Sequence, residues 1–152
     1  MRKLLGLMMV LGLVLLAGVA FAGDSADVTV SANVVGTCRF VVPAPSLSFG
    51  ALDQTSSSDA VATANLQFWC TKNAAYTLTD EDGLGADGAF TGTLLSGSDT
   101  IPYSISYTPY TGNGLGRTTP ITSVLTATIL NTDYVDVPAG NYSDMVTFTI
   151  NP

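Results

Sequence analysis

Between Ala62 and Cys70 every second residue is apolar. Ala62, Ala64, Leu66, Phe68 and Cys70 share one side, and Thr63, Asn65 and Gln67 fall on the other. A period of two is what a strand with one buried face demands, because successive side chains point to opposite faces. The same alternation groups Ile101, Tyr103, Ile105 and Tyr107, and again Val146, Phe148 and Ile150. No helical period is sustained beyond the first part of the chain. Thr, Val, Ser, Tyr, Phe and Ile dominate the rest, residues that suit a pleated, half-buried surface.

Turn-forming clusters cut this β-rich sequence at short intervals: Gln54–Asp59, Asp80–Gly85, Ser96–Ser98, Thr111–Gly116 and Pro138–Asn141. Gly, Asn, Asp, Ser and Pro each favour a turn for their own backbone reason. Strands are therefore predicted near 27–35, 38–42, 46–50, 62–71, 75–79, 89–95, 101–108, 121–130 and 143–150. Short strands in this number and spacing point to an all-β chain, an immunoglobulin-like β-sandwich. There is no internal repeat and no linker that would divide it.

The N-terminus has a different pattern. Arg2 and Lys3 precede an apolar run from Leu4 to Val19, and Ala20-Phe21-Ala22 supplies small residues around a bulky one. Residues 1–22 read as a secretory signal peptide with cleavage after Ala22, so the mature protein is expected outside the cytoplasm. About 130 residues would remain, enough for one domain with a real core. The chain carries a net charge of −7, and loss of Arg2 and Lys3 makes it two charges more negative. Arg39, Lys72 and Arg117 are then the remaining cations. Such a chain has no electrostatic footprint for nucleic acid or for anionic lipid.

Cys38 and Cys70 suit an oxidising compartment and a single disulfide. The competing metal-site reading fails on ligand number, since the chain has no histidine and zinc takes four ligands. No metal and no cofactor is expected.

Residues 23–36 form a separate segment between the leader and a sandwich domain at 37–152. Within it Val28, Val30, Ala32 and Val34 face one way, while Asp27, Thr29, Ser31 and Asn33 face the other. A strand of this kind either pairs within its own fold or completes a neighbour's. At the far end, 143–150 reads as a strong strand that stops just before Asn151-Pro152. A sandwich lacking a further strand beyond it would leave a groove between its sheets, open to strand addition.

Several marks, in order, give the chain a family resemblance. They are the alternating segment Val28 to Cys38, Leu47-Ser-Phe-Gly50, and Leu66-Gln-Phe-Trp-Cys70 followed by Thr71. After these come Ile101-Pro-Tyr-Ser-Ile105 and the closing Pro138-Ala-Gly-Asn-Tyr-Ser-Asp-Met-Val-Thr-Phe-Thr-Ile150. The pattern resembles the spore coat protein U domain family, the subunits of archaic chaperone–usher pili.

The resemblance implies an incomplete immunoglobulin-like sandwich, completed by donor-strand exchange. It implies that Val28, Val30, Ala32 and Val34 are donor side chains, and that Cys38–Cys70 is the structural disulfide. The acceptor groove would run partly along 143–150, through Val146, Phe148 and Ile150. The implied partners are identical or related pilin subunits, a periplasmic chaperone and an outer-membrane usher. The implied destination is the cell surface, reached through the periplasm, in a fibre that supports adhesion or biofilm formation. A single domain implies a shaft subunit rather than a two-domain tip adhesin. The chain departs from the pattern in its acidic Asp80–Asp87 loop, in the absence of an arginine between Thr91 and Thr100, and in its Asn151-Pro152 ending.

Other motifs carry less. Asp80-Glu81-Asp82-Gly83 lacks the spacing and distal glutamate of a calcium loop. Gly112–Gly116 has neither the lysine nor the helix of a phosphate loop. Asn141-Tyr142-Ser143 fits a glycosylation sequon and equally a turn. With no histidine, acid–base catalysis would fall to aspartates such as Asp133 and Asp136, and the serines have no activating base; the chain is not expected to be an enzyme. Trp69 lies opposite Phe68 and Cys70 by parity, under a loop or at a subunit contact. Tyr103, Tyr107, Tyr110 and Tyr134 are either core residues or a sugar-stacking surface. The latter would suit the alternative function, a secreted monomeric carbohydrate-binding module with its first strand paired in cis.

Overall fold

The alternation in the sequence becomes a pair of antiparallel sheets. A computed structural model describes residues 23–41, 43–80 and 88–152. The chain divides into two compact units, 1–33 and 34–152. In the first, the described residues 23–33 are exposed and belong to no helix or strand.

The second unit contains β1 (Cys38–Phe40), β2 (Ala60–Cys70), β3 (Ala75–Thr79), β4 (Ala89–Ser96), β5 (Asp99–Thr108), β6 (Thr111–Asn113), β7 (Ile121–Ile129), α1 (Asn131–Tyr134) and β8 (Thr149–Asn151). One sheet has the order β1-β2-β7-β5-β4, and the smaller sheet has β6-β3-β8. The protein is nearly all β, as the periodicity requires.

Parity decides what is buried. In β2 the inward positions Leu66, Phe68 and Cys70 are covered, while Val61, Thr63, Asn65 and Gln67 face out. In β5 Ile101, Tyr103, Ile105 and Tyr107 are all buried, and in β7 so are Ile121, Leu125, Ala127 and Ile129. Side chains from the smaller sheet and from the stretch that leads into β8 close on this layer. Tyr76 meets Phe68 edge-on with ring centres 5.0 Å apart, and Phe148 meets Tyr107 at 5.2 Å. Each large side chain buried this way stabilises the fold by about 1.5–3 kcal/mol. Cys38 stands opposite Cys70 in the β1–β2 ladder, and the two form the disulfide.

The structure departs from the predicted strands in several places. Residues 27–35 and 46–50 form no strand. Leu47 and Phe49 keep the alternating half-buried pattern, but no neighbouring strand takes up their backbone among the described residues. Of 143–150, only the last residues are laddered: β8 pairs Leu78 with Ile150, and Ser143 makes an isolated bridge to Leu95. Conversely, the glycine-rich stretch read as a turn contains β6, because Thr111–Asn113 lies against Ala75–Thr77. The short helix α1 had no periodic signal. The leader and most of the acidic Asp80–Asp87 loop, with its weak calcium motif, lie outside the described residues.

Candidate functional site

The inner face of the larger sheet is not fully covered. An open cleft of about 1270 Å³ runs along it, with Leu66, Leu94, Ile101, Tyr103, Ile105 and Leu125 on its floor. These are the inward-facing residues of β2, β4, β5 and β7, so the floor is made of core side chains. One wall is the stretch 44–54 together with Phe40 and Val41, and the other runs from Val137 to Val146 with Phe148. Neither 44–52 nor 144–148 joins a ladder among the described residues. The cleft therefore has an apolar floor between two walls without regular strand structure.

Polar contacts fix the walls at one end. The Gln54 side-chain amide donates to the carbonyls of Tyr134 and Val137, at 3.1 and 2.7 Å. The Tyr134 hydroxyl donates to the Ser58 carbonyl at 2.7 Å. Across the cleft, the Tyr103 hydroxyl donates to Asp144 at 2.7 Å, and the Met145 amide donates to the other carboxylate oxygen at 2.8 Å. Tyr103 reaches over its ladder partner Gly92, where a Cβ would collide with the phenol ring. Burial raises the Tyr142 phenol above its ordinary pKa, and the negative charge of Asp99 adds to the effect.

The residues singled out in the sequence fall in different places. Val146 and Phe148 line the cleft. Ile150 does not; it is laddered into the smaller sheet. Val28, Val30 and Val34 are 82%, 90% and 80% exposed, a large cost for valines unless something covers them. Ala32 is exposed as well. Tyr103, Tyr107 and Tyr134 are buried and Tyr110 is half-buried, so they form no exposed aromatic row. Trp69 is half-buried beneath Arg117. No group of three or more His, Cys, Asp or Glu side chains among the described residues is placed to hold a metal.

Sequence reasoning missed the 44–54 wall. Its signal was present in the parity of Leu47 and Phe49 and in the turn residues after it, but nothing local shows that a stretch of strand-like sequence lacks a neighbour.

A search of curated proteins finds no match. The family model for the Spore Coat Protein U domain matches residues 24–149, which is most of the chain. A sandwich with one disulfide, a cleft lined by core side chains and an alternating apolar leading segment agrees with that match, and the chain belongs to the spore coat protein U domain family.

Proposed function

We propose that this protein is a structural subunit of an extracellular pilus, built by the chaperone–usher pathway through donor-strand exchange. The observation that carries this reading is the open cleft floored by core side chains. Leu66, Ile105 and Leu125 line this cleft although each belongs to the buried core. A β-segment with alternating apolar residues fits such a cleft by adding its backbone to the walls and its side chains to the floor. The chain itself supplies that segment in Val28, Val30, Ala32 and Val34. Burying three valines contributes roughly 5–9 kcal/mol before ordering costs.

On this reading a periplasmic chaperone fills the cleft first. At the outer-membrane usher the leading segment of the next subunit replaces it, and the fibre grows at the cell surface. The spore coat protein U domain family is one of structural pilus subunits and is not known for enzymes. The carbohydrate-module alternative needs an exposed aromatic row, and the tyrosines are largely buried.

The test is electrophoresis of exported protein in denaturant without boiling. Donor-strand polymers give a ladder of multimers that collapses to monomer on boiling. A lone monomer band in both lanes would overturn the reading.

A further inference from the structure

Among the described residues of 34–152, the charges that reach the surface are sorted by end, and Asp80 is buried. Arg39, Lys72 and Arg117 come from separate parts of the chain and meet where β2 leaves the sheet. Arg39 stands across the β1–β2 ladder from Trp69, and the Arg117 Cζ lies 5.9 Å from the centre of the Trp69 ring. Lys72 lies two residues beyond the end of β2. The Gly116 amide donates to the Cys70 carbonyl at 3.0 Å, which folds the turn bearing Arg117 back over this end. Arg39, Lys72 and Arg117 are exposed, and Trp69 is half-buried among them.

The opposite end carries aspartates and no cation. Asp59 directly precedes β2 and accepts the Asn131 amide at 2.8 Å. Asp133 lies in α1, and Asp136 in the turn that follows. Gln54 binds the Tyr134 and Val137 carbonyls and so brings the Asp53 turn to the same place. Asp99 opens β5, and Asp144 follows the Ser143–Leu95 bridge. The length of β2 separates the two ends by roughly 33 Å.

This polarity matters because of where the leading segment joins its domain. Thr37 leads into Cys38, which lies at the cationic end. When the leading segment of one copy occupies the cleft of another, its owner's cationic end comes to rest at one mouth of that cleft. Near one end of the cleft lie Asp53 and Val137, drawn together by Gln54; near the other lie Phe40 and Val41, beside Arg39. In one arrangement opposite charges meet, and in the other like charges meet.

We propose that the Arg39–Trp69–Arg117 cluster is a docking surface for the aspartate end of a second copy of this chain. The proposal rests on the donor-strand reading and adds a contact outside the cleft. Trp69 gives the contact an apolar anchor, and the flanking guanidinium groups give it direction. The attraction steers the incoming subunit and selects one polarity for the fibre.

Charge reversal tests this in the full-length chain. One variant combines Arg39→Glu with Arg117→Glu, and the other combines Asp133→Lys with Asp136→Lys. Multimer growth is followed on unboiled gels, and binding of a synthetic peptide spanning residues 23–36 is measured for each variant. At about 20 mM salt each variant alone should grow roughly tenfold more slowly than the unaltered chain, and the deficit should vanish near 1 M salt. An equal mixture of the two should recover, since each supplies the charge the other lacks. Near 1 M salt, where charge is screened, peptide binding should be the same for all variants, which shows that they fold. Growth at the unaltered rate in low salt, or a mixture no faster than its components, would overturn the docking surface while leaving the cleft intact. Failure of the peptide to bind even the unaltered chain would instead remove the donor-strand reading, and the docking surface with it.

Discussion

Ile150 stands directly across the ladder from Leu78 in the smaller sheet. Val146, four residues earlier, lies on the wall of the open cleft. The last segment described thus has two parts, one laddered into the fold and one bordering the cleft. Substitution should separate them. Leu78→Ala removes a fully buried side chain and should cost about 2–5 kcal/mol of subunit stability. Val146→Ala should cost under about 1.5 kcal/mol in the subunit yet reduce multimer yield. Urea unfolding of the isolated subunit, set beside unboiled gels, reads both effects.

The leading segment provides the complementary test. Val30 is the most exposed of its valines, so Val30→Asp should leave subunit folding within about 0.5 kcal/mol of the unaltered chain. A carboxylate in an apolar trough is costly, and the multimer ladder should disappear while folded subunit persists. Normal fibres from this variant would show that the wrong donor face has been named.

The Cys38–Cys70 bridge closes a loop of sequence separation 32. In the chain-entropy account such a closure stabilises by about 3.5 kcal/mol. Cys70→Ser should lower subunit yield and protease resistance, and Cys38→Ser should do the same. The loss should match that seen on reducing the unaltered protein, because both remove the same cross-link.

Tyr76 gives a pH prediction. Its ring is buried against Phe68, and burial raises the phenol above its ordinary value of 10.0. The folded state therefore holds this proton more tightly than the unfolded chain. The associated stability is fully present below about pH 10 and is lost as pH rises through the folded pKa. Thermal melts between pH 8 and 12 should show a decline at the alkaline end that Tyr76→Phe reduces. An unchanged profile in that variant would assign the decline to another group.

The floor of the cleft was legible in the sequence. Leu66, Ile105 and their neighbours declare themselves by a two-residue period that depends only on which way side chains point. The walls were not. Leu47 and Phe49 alternate as strand residues do, but a strand exists only where a second backbone pairs with it, and that is not a local property. The same physics works in reverse at Thr111–Asn113: glycine and asparagine favour a turn there, and pairing with Ala75–Thr77 overrides them. Ile150 was grouped with Val146 and Phe148 because all share a face; which of them the smaller sheet takes up depends on where β3 ends at Thr79.

The central claim is that the sandwich is completed by another copy's leading segment. Amide hydrogen exchange on assembled fibres, compared with released subunits, tests it most directly. Residues 28–34 and the cleft wall 44–52 should exchange quickly in the subunit and become protected together in the fibre. Equal, fast exchange of both stretches in the two states would contradict it, as would protection of 28–34 already present in the lone subunit.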